Sequence, residues 1–423
     1  MLLLEEKKIT QSIITLGGKG TRLDSITKGI PKPLFPINGL SPLERAIKIL
    51  SSQGITKYIF FINFMPDLFE KVSIELMDKY DIQIEHIKEK EPKGEAGSIF
   101  DCIDFLEEYF LFIHGDIIFD IDLKRFINFH FAKQSDLSIM THLTSHPEDS
   151  DCIIESPSLS IADYKLKSFS SSNKSFYLGN AGVALVSKKV ILSVKKGLDS
   201  RIKEFSFFRD IVIYSLKNKF KIFSYNTSEY LKDIGTPKRF ESTVKDLHKN
   251  KVKNKSYRSS QKVLFLDRDQ TLIKCPENSY ILSKNNLEFY EKRIKKIAEI
   301  SNKFDFALII TNQPQISMGM ISWQEVIKIN GFIINKCQLL GLEIAGFYLC
   351  PHHPHSGFPE EINILKSNCF CRKPLPGLFF EASYMRNISL NNSLFIGDSR
   401  RDFQAAKNAG MNYLSVEDLD FSS

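Results

Sequence analysis

The chain has 423 residues, enough for two or three domains with sizeable cores. Its 43% hydrophobic and 25% charged residues are the proportions of an ordinary globular protein. A net charge of +7 without an arginine-rich cluster argues against nucleic-acid binding, and no run approaches the ~18 apolar residues of a membrane span. The seven cysteines are odd in number and the first four are scattered, so no disulfide framework is expected. Glu5 and Glu6 follow the apolar Met1–Leu4 too early for a signal peptide, and the expected location is the cytoplasm.

Ser12–Leu16 reads as a buried strand running into Gly17-Gly18-Lys19-Gly20-Thr21-Arg22-Leu23. Three glycines in four positions let backbone N–H groups converge on phosphate oxygens, and Arg22 adds fixed positive charge. Pro31-Lys32-Pro33 then stiffens the backbone around a lysine, and Ser41-Pro42-Leu43-Glu44 opens a helix with a serine cap and an early proline.

These segments resemble the sugar nucleotidyltransferases. By that resemblance Gly17, Gly18, Gly20, Thr21, Arg22 and Lys32 bind a nucleoside triphosphate and the developing pyrophosphate. Strands at Tyr58–Ile62 and Ile82–Ile87 flank a helix at Asp67–Lys79. Glu91-Pro92-Lys93-Gly94-Glu95-Ala96-Gly97 then resembles the family's nucleobase loop, through Gly94 and Gly97, with Glu95 in place of the usual threonine. The apolar run Phe110–Ile113 ends at His114-Gly115-Asp116, and Tyr230–Pro237 contains Asp233-Ile234-Gly235-Thr236-Pro237. The resemblance makes Asp116 and Asp233 magnesium ligands, and paired carboxylates suit that hard cation; Asp120 and Asp122, just beyond Asp116, are expected to be structural or to support the ligands. Asn180-Ala181-Gly182-Val183 resembles the strand lining the sugar pocket, with Asn180 and Gly182 facing ligand. The family's Glu-Lys pair for the sugar phosphate has no counterpart in Lys167–Lys174.

Lys245–Ser260 is polar and lysine-rich and reads as a linker. Val263–Leu266 then forms a short apolar run, the mark of a buried strand, ending in Asp267-Arg268-Asp269. Carboxylates at the carboxyl end of such a strand stand where open α/β sheets keep their ligands. Phe306–Ile310 ends at Thr311-Asn312-Gln313, Cys371-Arg372-Lys373-Pro374 places a lysine before a helix, and Ser393–Ile396 ends at Gly397-Asp398-Ser399-Arg400-Arg401-Asp402.

In that order these are similar to the four motifs of the haloacid dehalogenase (HAD) superfamily. The resemblance implies that Asp267 is the nucleophile that forms an aspartyl-phosphate. Asp269 is the acid and base, and Thr311 and Lys373 neutralise the phosphoryl group, with Asn312 and Arg372 alongside. Asp267, Asp398 and the backbone carbonyl of Asp269 hold Mg²⁺, with Asp402 supporting them. Two departures stand out: Gln270 takes the place of the family's glycine, and Met318 that of an arginine expected near the substrate's distal phosphate.

Cys350, His352, Cys369 and Cys371 supply four nitrogen and sulfur donors, enough for a closed tetrahedral zinc site, with His353 and His355 as spare imidazoles. This loop resembles the zinc-containing branch that includes heptose 1,7-bisphosphate and histidinol-phosphate phosphatases. The resemblance as a whole is to a fusion of a phosphatase of the heptose kind with a nucleotidyltransferase of the heptose-1-phosphate guanylyltransferase kind.

The expected architecture is α/β throughout. Residues 1–244 form a Rossmann-like (GT-A-like) nucleotidyltransferase domain, 245–260 a linker, and 261–423 a HAD-like Rossmannoid domain with its zinc loop. The expected partners are small molecules, an NTP and sugar phosphates, with neither nucleic acid nor membrane. Open alternatives are a histidinol-phosphate-type phosphatase, a hexose-1-phosphate nucleotidyltransferase, and one domain serving only as a binding or scaffold module. The nucleotide, the sugar anomer and the oligomeric state are not legible.

Overall fold

The computed structural model describes residues 8–18, 21–88, 93–94, 96–144, 151–156, 158–166, 177–197, 204–275 and 279–421. Gly20, Glu91, Pro92, Glu95 and the stretch Lys167–Lys174 lie outside the described residues. The chain divides into two compact units, the main division falling between Ser256 and Tyr257.

The N-terminal unit is built on a nine-stranded sheet. Its strands are β1 (Gln11–Thr15), β2 (Lys57–Ile62), β3 (Gln83–Lys88), β4 (Tyr109–His114), β6 (Leu137–Thr144), β7 (Cys152–Glu155), β8 (Ile161–Lys165), β9 (Tyr177–Ser187) and β10 (Ile222–Asn226). A separate antiparallel pair joins β5 (Ile117–Asp120) to β11 (Tyr230–Asp233). The main order is β10-β6-β9-β4-β1-β2-β3. β1 pairs in parallel with both β2 and β4, whereas β9 runs antiparallel to β4. The central strands read as unbroken apolar runs because both faces are covered: Phe110, Leu111, Phe112 and Ile113 are all fully buried. The helix Pro42–Ser51 starts as expected, the Ser41 hydroxyl accepting the Glu44 N–H at 3.1 Å. Asp122 likewise caps Leu123–Ala132.

The stretch 245–260, expected as a linker, contains the division between the two units and is partly helical. The helix Pro237–His248 runs through its start, a four-residue helix Lys251–Asn254 follows, and Tyr257 is buried. Val252 enters an apolar cluster with Ile37, Ile118, Tyr230 and Ile234, against which Val244 and Leu247 also pack. The lysines hide this spacing because they decorate the solvent face of a short amphipathic segment.

The C-terminal unit is a five-stranded sheet in the order β16-β15-β12-β17-β18, parallel throughout. Its strands are β12 (Val263–Leu266), β15 (Phe306–Asn312), β16 (Ile344–Cys350), β17 (Leu394–Gly397) and β18 (Asn412–Ser415). A two-stranded ribbon, β13 (Ile273–Lys274) with β14 (Glu288–Phe289), follows β12. Side chains alternate between two cores. Leu264, Leu266, Ala307 and Ile309 enter one cluster, and Val263, Phe265, Leu308 and Ile310 the other. β12 is the middle strand, so Asp267 leaves the sheet at its centre, flanked by the ends of β15 and β17.

Candidate active sites

In the N-terminal unit the carboxyl ends of β1, β2 and β4 surround a cavity of about 500 Å³. Gly17, Gly18, Arg22, Lys32, Gly94 and Asp116 line it, together with Asn63, His114 and Glu204. A Cβ at Gly17 would lie 2.7 Å from the Asn63 side-chain amide, which would have to shift. Gly94 is needed for conformation as well: its φ is +82°, and a Cβ would meet the Phe205 backbone at 2.5 Å. Lys32 is only 9% exposed and its ammonium donates to Asp116 Oδ2 at 2.8 Å. Burial works to raise the Asp116 carboxyl, but the charge and hydrogen bond of Lys32 hold it below the usual carboxylate range.

Asp233 stands beside Asp116 through the backbone, because β11 pairs with β5 and the Ile234 N–H donates to the Asp116 carbonyl at 3.1 Å. Its carboxylate accepts two hydrogen bonds from Arg239 Nη1, at 2.9 and 3.1 Å, and one from the Gly235 N–H. Both expected magnesium ligands therefore already carry a cationic partner. Gly97, Asn180 and Gly182, expected to face ligand, do not line the cavity. Gly97 opens a short helix, and the Asn180 side chain accepts the Gly182 N–H at 2.9 Å. Thr21 begins the helical turn Thr21–Leu23. Sequence reasoning missed Asn63 and Glu204 as lining residues; for Asn63 the signal was a polar residue ending the apolar strand Lys57–Ile62.

In the C-terminal unit the four motifs meet. The Lys373 side chain is 3% exposed and its ammonium lies between two carboxylates, Asp267 Oδ1 and Asp402 Oδ1, the latter at 2.6 Å. Asp267, Asp398 and Asp402 bring carboxylate oxygens within 4.8 Å of one another. Burial, with Asp402 and Asp269 adding to it, pushes the Asp267 carboxyl up to about 8 against the pull of Lys373. Burial and then Asp402 push Asp398 up to about 6. Burial opposes ionisation of Asp402 too, but Lys373 and the Ser399 hydroxyl, 2.6 Å away, keep it below its ordinary value. Three crowded carboxylates facing one ammonium are short of positive charge, and a divalent cation fits that donor set. Asp402, expected only to support, is part of the cluster.

Asp269 points elsewhere. Its carboxylate pairs with Arg268, 1% exposed, which bonds it through both Nε and Nη2, and it accepts Gln313 Nε2 at 3.0 Å. The same Gln313 amide donates to Thr311 Oγ1 at 3.0 Å, so the second aspartate and the threonine share a neighbour. Arg268 and Gln313 were not anticipated as its partners. Asn312, expected to face ligand, spends its amide on the backbone of Lys373: Oδ1 accepts the lysine N–H at 3.0 Å and Nδ2 donates to its carbonyl at 3.1 Å. It therefore anchors the lysine loop to the end of β15. Arg372, expected to contact ligand, donates through Nη1 to the His352 carbonyl at 3.1 Å. Met318 is 4% exposed and packed inside.

Cys350, His352, Cys369 and Cys371 place one donor atom each within 4.8 Å of the others. Their sulfurs are 3.3 to 3.4 Å apart. Tetrahedral thiolates around zinc stand about 3.8 Å apart, so a few tenths of an ångström of expansion would admit the ion. Burial lowers His352, favouring the neutral imidazole that ligates. The Cys350 hydrogen bond and burial push the Cys371 thiol up, and burial pushes up Cys369; a cation reverses that order. His353 and His355 contact each other at the exposed side of the loop, outside this cluster.

Known proteins divide along the same line. The nucleotidyl transferase family matches residues 11–250, and a HAD-hydrolase-like family matches residues 370–418. D-glycero-β-D-manno-heptose-1,7-bisphosphate 7-phosphatase of Vibrio cholerae is 31% identical over 148 residues, 35% of this chain and 76% of that protein. The α-heptose counterpart of Photorhabdus laumondii is 32% identical over 150 residues, 36% of this chain and 79% of that protein. D-glycero-α-D-manno-heptose 1-phosphate guanylyltransferase of Campylobacter jejuni is 39% identical over 116 residues, 27% of this chain and about half (51%) of that relative. The chain thus belongs to the nucleotidyl transferase family and, over its C-terminal part, to the heptose-bisphosphate phosphatase family of HAD-like hydrolases. It is an enzyme with a nucleotidyltransferase part and a phosphatase part. No helix among the described residues is long and apolar enough to cross a membrane.

Proposed function

We propose that the chain makes a nucleotide-activated heptose in two steps, one in each unit. The C-terminal unit removes the C7 phosphate of a heptose 1,7-bisphosphate. The N-terminal unit transfers a guanylyl group from GTP to the heptose 1-phosphate that remains. What carries this reading is the convergence of Asp267, Lys373, Asp398 and Asp402 at the centre of the C-terminal sheet, on the same chain as a cavity of about 500 Å³ lined by Gly17, Gly18, Arg22 and Lys32. The heptose comes from the relatives, since both halves resemble enzymes that act on it.

In the first step the Asp267 carboxylate attacks phosphorus and the bond to the sugar oxygen breaks. Asp269 gives that oxygen a proton, then takes one from the water that attacks the aspartyl-phosphate and frees inorganic phosphate. Lys373 and Thr311 face the phosphoryl oxygens and offset their charge. Asp267 and Asp398, with Asp402 beside them, would hold magnesium, which would supply the positive charge that this carboxylate cluster lacks. In the second step an oxygen of the sugar 1-phosphate attacks the α-phosphorus of GTP, the α–β bond breaks and pyrophosphate leaves. Arg22 and Lys32 offset the charge that develops. Asp116 and Asp233, now paired with Lys32 and Arg239, would hold magnesium in this unit, which would add to that positive charge.

The reading is tested by supplying heptose 1,7-bisphosphate, then GTP, and measuring phosphate and pyrophosphate in turn. Phosphate release from histidinol phosphate in preference to the bisphosphate would overturn the assignment. For the N-terminal unit, Lys32→Met is expected to cut pyrophosphate release by about a hundredfold while phosphate release continues. A variant that keeps its transferase rate removes Lys32 from the mechanism.

Cys350, His352, Cys369 and Cys371 hold a structural zinc ion that pins the segment before Lys373. Elemental analysis of protein purified without chelators is expected to find about one zinc per chain, and Cys369→Ser to lose most of it. Finding no zinc in the parent protein would sink this site.

A further inference from the structure

The turn that follows Asp269 carries an inference that rests on the phosphatase reading. Gln270 has a φ of +60°, in the left-handed region. A residue with a Cβ stands there at a cost of about 1–2 kcal/mol, so something must hold it. Four hydrogen bonds do. Its N–H donates to the Ile273 carbonyl at 2.7 Å, and its side-chain Nε2 donates to the Cys275 carbonyl. Its Oε1 accepts the Tyr290 hydroxyl at 2.9 Å, and its own carbonyl accepts Arg293 Nη1 at 2.6 Å.

The two outer partners brace each other, the Arg293 guanidinium lying 4.1 Å from the centre of the Tyr290 ring. Both belong to one rigid element: Tyr290 is the N-cap of the helix Glu291–Ser301 and Arg293 sits in its first turn. The turn is thus tied to a helix on one side. On the other, the Asp269 carboxylate is held by Arg268, itself fixed by Asn330 Oδ1 at 2.9 Å, and by Gln313. Glycine would allow the same φ without strain but would supply neither the bond from Tyr290 nor the bond to Cys275.

We infer that Gln270, clasped by Tyr290 and Arg293, is a positioning residue for Asp269. The clasp fixes the backbone that carries the Asp269 carboxylate, held by Arg268 and by Gln313, the neighbour it shares with Thr311, so that proton transfer to the leaving oxygen needs no rearrangement of the turn. The bound substrate gains nothing from it, so the effect falls on turnover rather than on binding.

The test compares Gln270→Gly, Gln270→Ala and Tyr290→Phe in the full chain. It reads steady-state phosphate release together with amide hydrogen exchange over residues 267–275. Gln270→Gly is expected to lower kcat about tenfold with KM changed by less than about twofold, although it relieves backbone strain. Tyr290→Phe shifts kcat the same way by less, and exchange of the residue-270 amide accelerates in both. A Gln270→Gly variant as fast as the parent, or faster, overturns the inference, because strain would then be the only thing the glutamine contributes. Equal losses in kcat and thermal midpoint across all three variants also overturn it, as the mark of a merely structural residue. The phosphatase reading fails separately, if Asp267→Asn keeps releasing phosphate. Exchange still decides on the clasp in that case, and unchanged exchange in Gln270→Gly overturns it.

Discussion

Replacing Asp267 with asparagine is expected to lower phosphate release by at least about a thousandfold and to leave pyrophosphate release at the parent rate. The expectation comes from placement. Asp267 is 6% exposed at the end of the central strand, with the Lys373 ammonium hydrogen-bonded to it and two further carboxylates close by. Asparagine has nearly the same shape and still accepts a hydrogen bond from Lys373, so the fold is retained. What it lacks is a carboxylate oxygen able to bond to phosphorus. The measurement is phosphate release under single-turnover conditions, with mass spectrometry of acid-quenched parent protein for the aspartyl adduct. Undiminished release in the variant, or an adduct on another residue, would remove Asp267 from its role.

The second large effect is on stability. Lys373→Ala is expected to destabilise the metal-free C-terminal unit by about 3–5 kcal/mol, the usual penalty for stranding a buried charge. Two carboxylates depend on this one ammonium, and both side chains are less than a tenth exposed. Burial works against the charge of Lys373, but Asp267 and Asp402 outweigh it and hold the ammonium protonated well above its ordinary range. Added magnesium should recover part of the loss, because a cation bound only by the folded cluster shifts the equilibrium toward it. Denaturant midpoints with and without magnesium check both statements. An alanine variant as stable as the parent in chelator would show that the carboxylates had another partner.

Much of this was legible in sequence because the central strands are short, continuous and apolar. Val263–Leu266 gave its own boundaries, and the Asp267-Asp269 pair, the threonine and the Gly-Asp motif each fell at a strand end, with the lysine in the turn before a helix. The motif residues could be picked out one by one. Their pairings could not, since they are set by long-range packing. Lys32 meets Asp116 across 84 residues, and Lys373 meets Asp267 across 106. Asn312 sits beside a motif threonine and reads as a ligand contact, yet its amide matches the two free backbone groups of Lys373, which only the fold brings near. Asn180 and Gly182 lie outside the cavity lining, and what they face is likewise not set by local sequence. Their side-chain-to-backbone bond is a local device of β9, and the motif looks the same whether or not it faces ligand. The packed helices in 245–260 were hidden by composition, because lysines outnumber the few apolar residues that anchor them.

The position of β12 also governs when catalysis becomes possible during synthesis. Its partner β15 begins 43 positions later, Val263 opposite Phe306, while the Val263 N–H donates to the Ser393 hydroxyl, 130 residues along. Closing such long loops precedes any reward from the contacts they make, so strands paired this way assemble late. On the ribosome the N-terminal sheet is complete before β12 emerges, whereas the cluster around Asp267 must wait for β17. A nascent chain stalled before residue 394 would hold the aspartate, the threonine and the lysine, and still lack the two carboxylates that complete the cluster, Asp398 and Asp402.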